Sequence, residues 1–231
     1  MDKKTEQHPS KRISGKTLVV LTTAVFLFAS LVFCLFITPR LAEMGGRVQI
    51  MYDGQPRLGK REAPVKIMEF ADFSCPACKR FHDKVLPKIR KEFIDTRKAQ
   101  MYFTNFQYMG EGSILAGVIG ESVFHQNNEL FWKYYDLIYT YQKNEGENGL
   151  NPDSLFELIE RNIPGIDLNK VLLDLDGNTY EKQVLAENKI ARKMKVDEVP
   201  AIFINGKKVK NPLDFNEIKN NLNTCIDAIN S

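Results

Sequence analysis

Residues 69–78 read Glu69-Phe70-Ala71-Asp72-Phe73-Ser74-Cys75-Pro76-Ala77-Cys78, an apolar run that leads directly into a Cys-x-x-Cys motif. The segment from Val65 to Ala71 is short, apolar and preceded by Pro64, which predicts a central strand buried on both faces. A helix is predicted from Pro76, because a proline is tolerated in the first helical turn, where its missing N–H would have no intrahelical partner. The motif is therefore expected where a buried strand meets the N-terminus of a helix.

The spacing of apolar residues separates the two cysteines of the motif. Cys78 opens a series at three- and four-residue steps that continues through Phe81, Val85, Ile89 and Phe93, so it belongs to the predicted buried face of the helix. Cys75 falls at the exposed N-terminal edge, where unsatisfied N–H groups and the helix dipole favour the thiolate over the thiol. Pro87 is expected to kink this helix.

The rest of the domain contains segments with the two-residue period of strands and segments with the 3.6-residue period of helices. A second strand is predicted from Gln100 to Phe106, and helical periods recur from Gly112 to about Lys195. Val199-Pro200 then leads into a hairpin, with strands at residues 201–204 and 207–209 joined by the favoured turn pair Asn205-Gly206. Asp214 is expected to cap a last helix with an inward stripe of Ile218, Leu222, Cys225 and Ile229, in which Cys225 is a buried free thiol.

The N-terminal segment differs from the rest in charge and hydropathy. Seven of the 32 basic and three of the 29 acidic residues precede residue 48, which leaves 25 and 26 in the remainder, so no nucleic-acid surface is indicated. Leu18 to Ile37 carries no charge and is preceded by five basic residues, which predicts one membrane-spanning helix with the domain outside the cell. The predicted organisation is a cytoplasmic basic tail at 1–16, a transmembrane anchor or uncleaved signal at 17–38, a linker at 39–57 and a domain at 58–231 with a helical insertion at about 110–195. A cleaved signal peptide is the alternative for the apolar run.

The order of these elements is that of an α/β thioredoxin-like fold with an inserted helical subdomain. The sequence resembles the DsbA family of extracytoplasmic thiol-disulfide oxidoreductases, and most of all its membrane-anchored Gram-positive, BdbD-like members. The resemblance covers about residues 58–231. It rests on four features: Glu69-Phe70, Cys75-Pro76-Ala77-Cys78, Phe131-Trp132 at the start of a helix in the insertion, and Val199-Pro200 before a strand.

The resemblance implies roles for individual residues. Cys75 and Cys78 form the redox disulfide, and Glu69 is a buried acid that moves the proton of Cys78; a glutamate at a strand edge facing water is the alternative. Val199-Pro200 matches the family's cis-proline loop, although X-Pro bonds in general are trans in about nineteen cases of twenty. Val199 and Pro200, with Pro76 and Ala77, are the predicted substrate-binding residues.

The expected function is the formation of disulfide bonds in reduced secreted or surface proteins. The resemblance implies a DsbB-like membrane quinone reductase as the re-oxidant, and no cofactor is predicted, because the chain lacks a glycine-rich phosphate loop. A fall of the Cys75 pKa to about 5 would raise the reduction potential by about 60 mV at pH 7.

Several features leave alternatives open. DsbA-like oxidants often have histidine where this chain has Ala77, so a reductase or isomerase of the same fold is one alternative, and a non-catalytic module that binds peptides or metal is another. Cys75, Cys78 and His82 have the spacing of three metal ligands, but a structural zinc needs a fourth, so no metal is predicted and His82 is placed on the helix surface. The aromatic cluster of Phe131, Trp132, Tyr134, Tyr135 and Tyr141 is expected in the core of the insertion, with lining of a peptide groove as the alternative.

Overall fold

The computed structural model describes residues 15–33, 52–142 and 152–230, and the chain divides into two compact units, Met1–Val48 and Gln49–Ser231. The described part of the first unit contains helix α1, Gly15–Val32. In the three described ranges no helix is both long and apolar enough to cross a membrane, which does not support the predicted anchor at 17–38. Residues 34–38 of that anchor lie outside the described residues.

The second unit combines a sheet with helices. The strands are β1 Arg57–Leu58, β2 Val65–Ala71, β3 Ala99–Asn105, β4 Ala201–Ile204 and β5 Lys207–Lys208. The helices are α2 Pro76–Lys84, α3 Leu86–Ile89, α4 Glu111–Gln126, α5 Asn128–Tyr141, α6 Pro152–Asn162, α7 Leu168–Asp176, α8 Glu181–Lys193 and α9 Phe215–Asn230. Helices α4 to α8 fall between β3 and β4, so the helical insertion is where the sequence predicts it.

The sheet has the order β1-β3-β2-β4-β5, with β2 at its centre. Strand β2 pairs in parallel with β3 and antiparallel with β4, and Glu69 stands opposite Phe103 on one side and Ile202 on the other. Six of the seven β2 residues are buried, as expected for a strand covered on both faces. Asn205 and Gly206 join β4 to β5 with φ values of 46° and 85°, the left-handed conformation that the predicted two-residue turn requires.

The helix after the Cys-x-x-Cys motif is interrupted near Pro87, as predicted. Helix α2 ends at Lys84, Pro87 lies in the first turn of α3, and a π-helical segment follows at Arg90–Ile94. The predicted apolar stripe of Cys78, Phe81, Val85, Ile89 and Phe93 is buried along the whole of this interrupted helix. The break therefore changes the hydrogen bonding of the helix and leaves its buried face intact.

Aromatic side chains of α5 join the insertion to the sheet. Phe73, after β2, lies 5.4 Å from Tyr134 and 5.5 Å from Tyr139 between ring centroids, and Phe103 of β3 lies 5.6 Å from Tyr135. Phe131 and Trp132 are also buried, which confirms them as core residues. Tyr141 is 47% exposed, so the prediction was wrong for this residue, which ends the helix.

The two ends of the domain differ from the sequence predictions in detail. The Tyr52 ring packs at a tilt against Tyr102, with 4.9 Å between ring centroids, and Gln55 Nε2 donates to Glu187 Oε1 at 2.9 Å. Contacts of the domain therefore begin within the predicted linker. In α9, Ile218 and Leu222 are buried, but Cys225 is only half-buried and Ile229 is 52% exposed. The inward stripe was predicted too long, since the buried residues of this helix are Ile218 and Leu222.

Candidate active site

The Cys-x-x-Cys motif lies at the point where β2 gives way to α2. Cys75 is the N-cap residue of α2 and Pro76 is its first residue. Asp72, fully buried after β2, accepts the Cys75 N–H with its main-chain oxygen at 3.0 Å and the Ser74 N–H with Oδ1 at 2.7 Å. Its other carboxylate oxygen accepts the N–H groups of Tyr108 and Met109 at 2.8 and 3.1 Å. The buried Asp72 carboxylate therefore fixes both the residues directly before Cys75 and the loop after β3.

Cys75 has the more acidic of the two thiols. Its pKa is lowered from 9.0 to about 7 by the hydrogen bond from the Cys78 thiol, together with the N–H groups of Cys78 and Ala77, while burial and the charge of Asp72 oppose the change. These donors belong to the first turn of α2, whose N–H groups have no intrahelical acceptor. The side chain is 6% exposed, more enclosed than the open edge predicted from the sequence.

Cys78 is the opposite case, because its side chain is completely buried. Burial raises its pKa well above 9.0, and the neighbouring Cys75 and Glu69 raise it further. The two sulfurs are unpaired in this structure, which therefore represents the dithiol form. In this form Cys75 is the thiol that ionises near neutral pH, and Cys78 retains its proton.

Glu69 is fully buried in the central strand, so the alternative of a water-facing strand edge is wrong. Burial raises its pKa from 4.5 to about 7, against a hydrogen bond from Tyr135 and the positive charges of His82 and Arg90. Oε2 accepts the Tyr135 hydroxyl at 2.8 Å, whereas buried Oε1 has no hydrogen-bond partner among the described residues. A carboxyl group with such a pKa can both accept and donate a proton near neutral pH.

The Val199-Pro200 segment faces the motif from the start of β4. Its peptide bond is cis, as the resemblance implied, and Val199 O lies 3.6 Å from Cys75 Sγ. Both residues are buried, whereas Pro76 is exposed and Ala77 half-buried. The structure thus brings Cys75 and the main chain of Val199 into direct contact.

A charged cluster behind the motif was not predicted. Asp136 binds Arg90 through two hydrogen bonds of 2.8 and 2.7 Å and lies 3.1 Å from His82 Nε2, while His82 Nδ1 lies 2.9 Å from Asp83. The His82 pKa is raised, since these carboxylates outweigh the effect of burial. The His82 ring stacks on Tyr139 at 5.5 Å. His82 is thus a half-buried partner of α5 and not a simple surface residue.

Comparison with known proteins agrees with this architecture. A family model described as Thioredoxin matches residues 52–224. The probable disulfide bond formation protein D of Bacillus cereus is 37% identical over 174 residues, which cover 75% of this chain and 80% of that protein. Disulfide bond formation protein D of Bacillus subtilis is 34% identical over 166 residues, covering 72% and 74%.

Solved structures show the same relationship. The crystal structure of oxidised BdbD from Bacillus subtilis matches with a TM-score of 0.73 at 32% identity, covering 77% of this chain and 95% of that chain. DsbA of Chlamydia trachomatis, 24% identical, shares the fold with a TM-score of 0.68. This chain belongs to the thioredoxin-fold family of DsbA-like proteins that includes the disulfide bond formation proteins D.

Proposed function

We propose that this chain is an extracytoplasmic thiol-disulfide oxidoreductase that forms disulfide bonds in secreted or surface proteins through Cys75 and Cys78. The observation that carries the proposal is the placement of the two sulfurs, with Cys75 at the N-cap of α2 and 3.6 Å from Val199 O, and Cys78 completely buried. This placement shifts their pKa values in opposite directions, to about 7 for Cys75 and well above 9.0 for Cys78. The related proteins of Bacillus cereus and Bacillus subtilis are named for disulfide bond formation, in agreement with this chemistry.

The proposed cycle begins with the Cys75–Cys78 disulfide. A substrate thiolate attacks Cys75 Sγ, a new intermolecular disulfide forms, and the Cys75–Cys78 bond breaks with its electron pair passing to Cys78. A second substrate thiolate then attacks the substrate sulfur of the mixed disulfide and expels Cys75 as a thiolate. The substrate is oxidised by two electrons, and the protein is left as the dithiol.

The pKa values explain why Cys75 is the proposed exchanging sulfur. A thiol with a pKa of about 7 is a good leaving group at neutral pH, so expulsion from the mixed disulfide is favourable. Cys78 must take up a proton when it leaves the disulfide, because its pKa is raised well above 9.0. We propose Glu69 as the donor, since it is fully buried, lies within electrostatic reach of both thiols and has a pKa of about 7.

The main chain beside Cys75 is the proposed binding site for substrate. Val199 O stands 3.6 Å from Cys75 Sγ at the start of β4, so an extended peptide whose cysteine reaches Cys75 would pass along Val199 and Pro200. Exposed Pro76 and half-buried Ala77 complete the proposed contact surface.

The remaining parts of the proposal concern the cell. A reduced enzyme needs an outside oxidant, for which we propose a DsbB-like membrane quinone reductase, following the resemblance. Membrane attachment through residues 17–38 stays a prediction from the uncharged segment Leu18 to Ile37. Resistance of the full chain to extraction from membranes by alkaline carbonate tests that attachment.

The test of the function uses a reduced, denatured secreted protein with several native disulfides, such as ribonuclease A, with oxidised glutathione as the terminal oxidant. The full chain is expected to accelerate its oxidation, Cys75→Ser to abolish the acceleration, and Cys78→Ser to accumulate a mixed disulfide at Cys75. The matched control is Cys225→Ser, which removes a half-buried thiol of α9 far along the chain and should leave the rate unchanged. Full activity of Cys75→Ser would overturn the proposal, and acceleration of reduction only would identify a reductase.

A further inference from the structure

Tyr135 is the one hydrogen-bonding partner that the structure gives to the Glu69 side chain among the described residues. The hydroxyl donates to Oε2 at 2.8 Å, and both side chains are completely buried. Glu69 belongs to β2 and Tyr135 to α5, so the bond joins the central strand to the inserted helices. The opposite carboxylate oxygen, Oε1, has no hydrogen-bond partner in the part of the chain that the structure describes.

The phenol ring cannot readily leave this position. It lies 5.6 Å from Phe103, 5.1 Å from Trp132 and 4.9 Å from Tyr139 between ring centroids, in tilted or edge-to-face arrangements. Burial raises the Tyr135 pKa well above 10.0, so the hydroxyl remains protonated and can only donate to an ionised carboxylate. Packing thus presents one fixed donor to Glu69.

We propose that Tyr135 is the positioning residue for the proton-transfer step, holding Glu69 through Oε2 so that Oε1 exchanges the proton with Cys78. This inference rests on the proposed function of the Cys75–Cys78 pair. The hydrogen bond keeps the carboxylate in one rotamer, so Oε1 stays in a fixed position. It also stabilises the ionised form of Glu69, a stabilisation that a buried carboxylate without a donor would lack. Removing the hydroxyl should therefore raise the Glu69 pKa and leave the cysteines in place.

Other charged groups also face Glu69 and enter the prediction. His82 on α2 and Arg90 on the π-helical segment favour the carboxylate, and a thiolate at Cys75 disfavours it. Cys78 and Tyr139 also lie within electrostatic reach. Since none of these groups is altered by Tyr135→Phe, a change in pH dependence can be assigned to the lost hydroxyl.

The step to measure is the resolution of a mixed disulfide between Cys75 and glutathione. Cys78 gives its proton to Glu69, attacks Cys75 Sγ and forms the Cys75–Cys78 bond, while glutathione leaves with the electron pair of the broken bond. The mixed disulfide is formed from the reduced full chain and oxidised glutathione. Rapid acid quenching, alkylation and mass spectrometry then follow its decay from pH 5 to 9.

In the wild type, the rate of mixed-disulfide decay should fall as the pH drops below the Glu69 pKa, which gives the pH profile an acid limb. Glu69→Gln should lack this limb. Tyr135→Phe should move the limb to higher pH by about one pH unit, a roughly tenfold slower decay on the acid side, with the same plateau rate at high pH. The matched control is Tyr134→Phe, which removes a buried hydroxyl that donates to Ala116 O at 2.6 Å and should leave the limb where it is.

Three results would overturn the inference: a Tyr135→Phe limb at the wild-type pH, an equal displacement in Tyr134→Phe, or identical profiles for the wild type and Glu69→Gln. The failure of the proposed function itself looks different, because Cys75→Ser would then still oxidise the reduced substrate. The two hypotheses are therefore separated by different variants and different measurements.

Discussion

Replacing Ala77 by histidine should make the Cys75–Cys78 pair a stronger oxidant. Ala77 is half-buried in the first turn of α2, and its N–H already contributes to lowering the Cys75 pKa. A histidine at this position adds a ring N–H, positively charged when protonated, next to the sulfur. Both effects stabilise the thiolate, and therefore the dithiol, relative to the disulfide.

The magnitude follows from the pKa of Cys75, which is about 7. At pH 7 this thiol is half ionised, so ionisation stabilises the dithiol by only about 0.4 kcal/mol, which corresponds to about 10 mV. If Ala77→His lowers the pKa to about 6, the stabilisation grows to about 1.4 kcal/mol and the potential rises by about 20 mV; a fall to about 5 gives a rise of about 50 mV.

Two measurements on each variant check the reasoning. Ultraviolet absorbance of the thiolate against pH gives the Cys75 pKa, and equilibration with glutathione gives the reduction potential. Ala77→Phe is the control, because it adds a ring of similar size without an N–H and should not lower the pKa. A lowered pKa with an unchanged potential would refute the link between thiolate stability and oxidising power. An equal rise of the reduction potential in Ala77→Phe would refute the role of the histidine N–H as a donor to Cys75.

Two further predictions concern stability. Because the Glu69 pKa is about 7 in the folded state against 4.5 ordinarily, the folded state holds a proton that the unfolded state releases, and stability should fall as pH rises from about 4.5 through 7. Glu69→Gln should remove up to about 3 kcal/mol of this loss, seen as a stability difference from the wild type in urea unfolding that grows from pH 5 to 8; parallel pH profiles would contradict it. Gly117→Ala should destabilise the domain by about 1–2 kcal/mol, because its Cβ would lie 2.8 Å from Gln107 Cγ and 3.1 Å from Asn105 Oδ1, and an unchanged thermal midpoint would show that these neighbours can move.

The sequence predicts those parts of the site that depend on local pattern. The strand before the motif, the helix beginning at Pro76 and the burial of Cys78 all follow from short-range spacing and proline chemistry, and the structure confirms them. The Tyr135–Glu69 bond joins residues 66 positions apart, so its formation depends on how the insertion packs on the sheet. No periodicity carries that information.

The same limit applies to Asp72 and Asp136. The sequence places Asp72 directly after a predicted buried strand, but two of its main-chain N–H partners lie 36 and 37 residues away in the loop after β3. Asp136 is an ordinary polar residue in the sequence of α5 and gains its role by facing Arg90 and His82 from another helix. Tertiary contacts therefore decide which polar residues belong to the site.

The geometry also links the charge of Glu69 to the redox state of the cysteines. A thiolate at Cys75 raises the Glu69 pKa, so the dithiol favours a protonated carboxyl group beside it. Disulfide formation removes that thiolate and with it one of the causes that keep Glu69 protonated. The proton accepted from Cys78 is then held less tightly and exchanges with solvent, and Glu69 takes up a proton again before it donates to Cys78 in the next cycle; His82 and Arg90 favour the carboxylate between these steps. Because Asp136 binds both His82 and Arg90, the inserted helices act on the Glu69 carboxylate in two ways: directly through the Tyr135 hydrogen bond, and indirectly by holding the two cations in place.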